Sequence, residues 1–168
     1  GAVSAWELLN RTHGKLGLDR ILQAAIHYAE EGFPITPRVS ADWEGSVGKL
    51  LKHPASARRF LNNGAAPKLG TRFRQPELAK TLRAIAARGA AAFYQGEVAA
   101  DIVATLREAG GLHTEEDFAN GQGAAEFVTP ISIPWRGMEV YQCPPNGSGM
   151  HALQILGTLG NLPTPVGG

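Results

Sequence analysis

Phe127-Val128-Thr129-Pro130-Ile131-Ser132-Ile133-Pro134-Trp135-Arg136-Gly137-Met138-Glu139-Val140-Tyr141-Gln142 is where the periodicity of this chain changes. Phe127, Thr129, Ile131 and Ile133 alternate with Val128, Ser132 and Pro134, a period of two that predicts a half-buried strand. Arg136-Gly137 reads as a turn, and Met138–Gln142 answers as the second strand of a hairpin. Pro130 and Pro134 cannot donate to a ladder, so the first strand is expected at an edge. Everything before this stretch carries helical spacing, and so does Met150 to Leu159 after it. The expected fold class is therefore α+β: mainly helical, with one small β-hairpin near the end. The pattern reads as a single unit over 1–168, helical over 1–125, hairpin and Pro-Pro loop over 126–145, and helix over 146–162.

The helical part is heavily punctuated. Ser4-Ala5-Trp6-Glu7 has the form of a capping box, with Val3 and Leu8 at the staple positions and Gly14 as a left-handed stop. A second helix is expected from about Asp19 to Glu31, closed by Gly32, with Ile21, Leu22, Ala25, Ile26 and Ala29 on one stripe. Phe33-Pro34 turns the chain, and Thr36-Pro37 starts a helix that carries Val39, Trp43, Val47, Leu50 and Leu51. Pro54 ends it or restarts it as a short helix through Phe60 and Leu61. Asn62–Pro67 is a loop by composition. Pro76 opens a helix striped by Leu78, Leu82, Ile85 and Ala86 and ended by Gly89. A turn at Ala90–Tyr94 leads to another helix, from Glu97 to Ala109, which Gly110-Gly111 stops. Thr114 with Asp117 caps one more short helix. The 21 glycines among 168 residues agree with many short helices.

Composition excludes several classes. Sixteen Lys and Arg balance fifteen Asp and Glu for a net charge of +1, and 43% of residues are hydrophobic. Such a chain is globular rather than disordered, and that balance predicts no nucleic-acid partner. One cysteine, Cys143, excludes an intrachain disulfide framework and Cys-rich metal motifs. No apolar run approaches the ~20 residues that span a bilayer, and no signal-peptide pattern opens the chain. The start at Gly1 rather than Met suggests a piece of something longer, for which a periplasmic or a cytoplasmic home both fit.

Motifs that carry chemistry are sparse. Gly147-Ser148-Gly149-Met150-His151-Ala152 reads G-x-G-x-x-A after an expected strand and before a helix, the context of a dinucleotide fingerprint. Pro144-Pro145 lengthens that connection, and no second parallel strand or acidic ribose partner follows. A tight strand-to-helix turn accounts for the glycines. Ser148 is not a nucleophile elbow, because Asn146 and Met150 stand where G-x-S-x-G needs glycines. No P-loop is present. His13, His27, His53, His113 and His151 are scattered without ligand spacing. Cys143 beside two prolines reads as packing rather than a reactive thiol. Glu30-Glu31 reads as a helix end, and Glu115-Glu116-Asp117 as a first turn that complements the helix dipole. No catalytic or metal-binding residue is assigned from these patterns.

Several segments, in order, resemble the large subunit of the gamma-glutamyltransferase family. The opening Gly1-Ala2-Val3 with Trp6 is similar to the family's V-P-G-x-V-x-G/A-W/F entry. Ala29-Glu30-Glu31-Gly32-Phe33-Pro34-Ile35 resembles its L-A-x-x-G-F-x-V segment. Gly70 through Gln75-Pro76-Glu77-Leu78-Ala79 and on to Gly89 is similar to G-x-x-x-x-Q-P-x-L-A-x-T-L-x-x-I-A-x-x-G. Phe93-Tyr94-Gln95-Gly96 and Gly110-Gly111 with Thr114 and Asp117 match F-Y-x-G and G-G-x-x-T-x-x-D. Arg136-Gly137-Met138-Glu139-Val140-Tyr141 with Pro144-Pro145 resembles Y-R-G-Y-x-V-x-x-x-P-P-P-S-S-G-G.

The resemblance implies an N-terminal-nucleophile hydrolase, in which this chain is part of an αββα sandwich in the full-length parent. That parent cleaves itself, and the new N-terminal threonine of the small subunit attacks a gamma-glutamyl amide with its own amine as base. Water or an amino acid then resolves the acyl-enzyme, with no metal and no organic cofactor. The threonine would lie downstream of Gly168 and the arginine for the substrate carboxylate upstream of Gly1, so this chain is expected to be non-catalytic. Its expected partners are the rest of the large subunit, the small catalytic subunit and a gamma-glutamyl small molecule of the glutathione type. Asn146-Gly147-Ser148-Gly149-Met150 departs from P-S-S-G-G. That makes Asn146, Gly147, Ser148 and Gly149 candidates for a loop supporting the site from behind, and leaves other amides open as substrates. An incomplete core is expected to expose apolar surface on the hairpin and last helix and to drive self-association. The alternative reading is a helical interaction module, or a degenerate relative without enzyme activity.

Overall fold

A computed structural model describes residues 1–162. They gather into two compact units, Gly1–Ala125 and the segment from Glu126. The division falls where the sequence pattern turns from helix to strand, whereas the sequence reading takes the chain as a single unit. The fold class is the expected one, mainly helical with small antiparallel strand pairs.

The first unit begins with α1 (Ala2–His13), α2 (Leu18–Ile21) and α3 (Gln23–Glu31). The stripe expected from Asp19 to Glu31 is thus broken at Leu22, whose ψ of −5° departs from helical geometry as its side chain enters the core. α4 (Pro37–Leu50) and α5 (Pro54–Phe60) follow, each with proline in its first turn. Thr36 sits at the N-cap of α4, but its side chain makes no capping bond. α6 (Pro76–Arg88), α7 (Ala91–Tyr94), α8 (Glu97–Glu108) and α9 (Glu115–Gly121) complete the unit. α6 packs on α2, α3 and α7, and α7 packs in turn on α8 and α9.

The core of this unit is Val3, Leu22, Ile26, Ala29, Ala79, Leu82, Ile85, Ala90 and Tyr94. Ala29 and Ala79 are the small residues of facing helices, and their size allows α3 and α6 to approach closely. Phe33-Pro34 does more than turn the chain. As β1 (Phe33–Pro34) it pairs antiparallel with β2 (Arg72–Phe73), Phe33 opposite Phe73. The pairing is extended by Ile35 N–H donating to Thr71 O at 3.0 Å and Gly70 N–H donating to Ile35 O at 2.9 Å. It closes off residues 35–71 as an excursion whose Trp43 and Phe60 pack on Phe73 of β2.

Two helix ends differ from expectation. α1 starts before Ser4, since Ala5 N–H donates to Gly1 O, and Ser4 lies inside the helix on its buried face. The Ser4 hydroxyl donates to Gln122 O at 2.5 Å, and Glu7 Oε1 accepts from Ala90 N–H at 2.9 Å. The pair expected to cap its own helix therefore serves polar groups at the ends of α9 and α7. Gly14 is extended, with φ −71° and ψ 149°, and not left-handed: its N–H ends α1 by donating to Asn10 O. The stops at Gly32, Gly89 and Gly110 do have positive φ. Thr114 and Asp117 form the expected capping box.

In the second unit, β3 (Ile131–Trp135) pairs antiparallel with β4 (Met138–Gln142) around Arg136-Gly137, both at positive φ as a type I′ hairpin requires. The strand begins at Ile131 rather than Phe127. Beyond the Ile131–Gln142 pair come Pro130 on one side and Cys143-Pro144 on the other, and the prolines have no N–H with which to extend the ladder. α10 (Gly149–Gly160) packs on both strands. Gly160 lies against the Trp135 ring and Gly157 against Ile133.

Candidate functional site

The candidate loop connects β4 to α10. Asn146, Gly147 and Ser148 are exposed, and Gly149, the first residue of α10, is half-buried. Ser148 is the N-cap residue, yet its hydroxyl makes no capping hydrogen bond. The four residues differ in how firmly the fold holds them. A Cβ on Gly147 would meet nothing within 4 Å, whereas one on Gly149 would sit 2.8 Å from both the Cys143 carbonyl and Gln142 Cβ. Gly149 is therefore required by the close approach of the α10 start to the end of β4.

β4 pairs only with the antiparallel β3 among the described residues, so the loop does not stand in the parallel βαβ setting of a dinucleotide site. What it offers chemically is an exposed turn presenting backbone N–H groups at the start of a helix. His151, in the first turn, joins Gln154, Ile155, Thr158 and Leu159 around a shallow hollow of about 330 Å³.

The other singled-out residues are spread over the fold. Among the described residues no group of three or more His, Cys, Asp or Glu could hold a metal ion. His27 packs edge-on against Tyr28, His53 is the N-cap of α5, and the His113 carbonyl accepts from Arg107 Nε. Cys143 is an exposed free thiol rather than packed. Glu30 pairs with Arg83 and Glu31 with Arg74, so both acids of that helix end are engaged.

One hydroxyl–carboxylate contact exists in the first unit. Thr114 Oγ1 lies 2.8 Å from Asp117 Oδ2. It is a cap rather than a nucleophile and base: the Thr114 backbone N–H and then its hydroxyl donate to the Asp117 carboxylate and hold its pKa below the usual value. A carboxylate so stabilised is a weak base.

Two features went unread in the sequence. A broad apolar hollow of about 680 Å³ lies along α1, lined by Trp6, Leu9, Ile21, Leu22, Ala25 and Leu82 among others. A second hollow, of about 390 Å³, lies in the excursion between Val39, Trp43, Leu50 and Phe60. The aromatic residues were visible as parts of helical stripes. Trp43 and Phe60 meet where α4 packs on α5, and the β1–β2 pairing, which no local pattern announces, brings Phe73 to them.

With this geometry in hand, known proteins place the chain. The family model for gamma-glutamyltranspeptidase matches residues 1–166. The chain belongs to the gamma-glutamyltranspeptidase family. It is 38% identical over 161 residues to the glutathione hydrolase-like YwrD proenzyme of Bacillus subtilis (strain 168), covering 96% of this chain and 30% of that protein. The crystal structure of Helicobacter pylori gamma-glutamyltranspeptidase superposes with a TM-score of 0.89 at 30% identity, over 98% of this chain and 47% of that one. Cephalosporin acylase from Bacillus halodurans superposes with a TM-score of 0.86 at 35% identity, over 98% of this chain and 31% of that one. The chain thus spans less than a third of the curated relative's length.

Proposed function

We propose that this chain is the helical lobe and following hairpin of the large subunit of an enzyme that transfers or hydrolyses gamma-glutamyl groups. The observation that carries the reading is the family match along residues 1–166 in a chain spanning under a third of a glutathione hydrolase-like proenzyme. In this reading the nucleophile comes from elsewhere in the parent: an N-terminal threonine, released by self-cleavage, attacks the amide carbonyl while its own amine takes the proton. The acyl-enzyme is then resolved by water or an amino-acid acceptor. The role of this chain is scaffolding. The Gly149 contact fixes where α10 leaves β4, and the Asn146–Gly149 turn supports the substrate region from behind.

The partners follow from that role: the rest of the large subunit, the small catalytic subunit and a gamma-glutamyl small molecule. By itself the chain is non-catalytic. A broader amide specificity is the second reading, favoured by the 35% identity to a cephalosporin acylase and by the departure at Asn146–Met150.

The test is the intact mass of the protein expressed from its complete native reading frame, followed by assay on a gamma-glutamyl anilide. Two chains, the smaller beginning with threonine, together with anilide release support the proposal. A single uncut chain without release would point instead to a degenerate relative or an interaction module. Two chains that act on an acyl amide but not on the gamma-glutamyl anilide would select the acylase reading. Anilide release by residues 1–168 alone would overturn the non-catalytic role.

A further inference from the structure

The net charge of +1 conceals a strong division. Residues 45–76 contain no Asp or Glu and seven Lys or Arg, so this stretch carries +7, while the other nine cations face all fifteen acids and leave −6. Two of the seven are engaged at the sheet: Arg74 pairs with Glu31, and Arg72 Nη1 donates to Gly32 O. Lys49, Lys52, Arg58, Arg59 and Lys68 make no ion pair among the described residues. All but the half-buried Arg59 are exposed.

Four of these cations lie on the two packed helices, and the corner between them, that also carry an apolar hollow. Lys49 stands in the last turn of α4, Lys52 in the α4–α5 corner, and Arg58 and Arg59 in the last turn of α5, which packs on α4. Lys49 precedes Leu50 and Arg59 precedes Phe60 in sequence, and Leu50 and Phe60 line the hollow of about 390 Å³ together with Trp43. Asp42 at that hollow is paired with Arg38 at 2.8 Å. Unpaired cations clustered in this way repel one another, and the repulsion is relieved when anionic groups approach.

We propose that this corner is a docking surface for an acidic polypeptide segment, one that places an apolar side chain on Trp43 and Phe60 and its carboxylates among Lys49, Lys52, Arg58 and Arg59. An aromatic or aliphatic anchor supplies the desolvated centre and the charges supply the rim, the usual division of labour at a protein interface. The surface is separate from the β4–α10 loop in sequence, and the proposal holds whether or not the parent turns over a gamma-glutamyl substrate.

The experiment uses the full-length protein from its native reading frame. The probe is a short fluorescein-labelled peptide of glutamates around one phenylalanine, titrated by fluorescence anisotropy at low and physiological salt. Binding that weakens at least about tenfold in the Lys52→Glu/Arg58→Glu double variant supports the docking surface, because reversal of two rim charges replaces attraction with repulsion. Tightening in Glu44→Gln, which removes an acid on the preceding turn of α4, supports it independently. Both positions are exposed, so unchanged thermal unfolding serves as the folding control. Equal binding of the glutamine version of the peptide, or no loss in the double variant, would overturn the proposal. Tighter binding of a single-stranded oligothymidylate than of the peptide would also overturn it and assign the surface to nucleic acid.

Discussion

Glu7 provides the sharpest test of how the first unit is held together. Its Oε1 accepts from the N–H of Ala90, a residue with no exposed surface, at the start of α7. In Glu7→Ala that N–H has no partner and no water. A buried unsatisfied donor costs about 1–3 kcal/mol, and loss of a hydrogen bond to a charged group falls at the upper part of that range. At about 2 kcal/mol, local opening around α7 becomes roughly 30-fold more frequent. Hydrogen exchange at the Ala90 amide in the full-length protein reads this directly, with exchange expected to accelerate by about that factor. Glu7→Gln keeps an acceptor and should lose less than about 1 kcal/mol. Gly89 extends the test. Its φ is +71°, and a Cβ there would run into Glu7 Oε1. Gly89→Ala therefore costs about 1 kcal/mol for the backbone plus a collision, and only the backbone cost should remain when Glu7 is already Ala. Exchange in Glu7→Ala within twofold of wild type, or strict additivity of the two substitutions, would refute the idea that Glu7 caps α7 from α1.

Three more outcomes are expected. Gly149→Ala should lower the unfolding temperature of the full-length protein, since its Cβ would lie 2.8 Å from the Cys143 carbonyl, while Gly147→Ala, in open space, should not. The depressed pKa of Asp117 means that its contribution to stability is present above the unfolded pKa and lost as pH falls through the folded one. Acid titration of unfolding should therefore show a shallower decline below about pH 4 in Asp117→Asn than in wild type. Residues 1–168 expressed alone should self-associate, because Met138, Tyr141 and Ile155 are each at least 60% exposed. Light scattering should then report a monomer at high concentration only after Tyr141→Glu and Ile155→Glu are combined.

What the sequence made legible was what is local. Thr114 and Asp117 stand three residues apart and satisfy one another, so their motif and their role coincide. Ser4 and Glu7 have the same spacing and suitable chemistry, but their partners, Gln122 O and Ala90 N–H, lie more than eighty residues away. Pattern identifies the hydrogen-bonding capacity of such residues, and tertiary packing decides who uses it. The same distinction explains the strands. The hairpin around Arg136-Gly137 could be read because a short turn joins its alternating strands, although the alternation runs on to Phe127 and the pairing stops at Ile131. The Phe33–Phe73 pairing, two residues long and separated by an entire excursion, left no local trace. At the candidate loop, Gly149 could be read as a tight turn, but the neighbours that make it obligatory emerge only once β4 and α10 are built. The summed charge concealed the basic corner because opposite signs sit in different parts of the chain.

The β1–β2 pair pins both ends of residues 35–71, and none of the nine buried residues at the helical core comes from that span. The excursion keeps its own buried residues, Ile35, Ser40 and Leu61, and its exposed positions are free to change without touching the helical core. Closing a flexible loop costs only about 0.6 kcal/mol more for each doubling of its length. Insertions and deletions between Thr36 and Leu69 must respect the two anchor points, the buried Ser40 and Leu61, and the packing of Trp43 and Phe60 on Phe73. Evolution can renovate this surface while leaving the helical scaffold untouched, and an engineer can graft a recognition module into the same place.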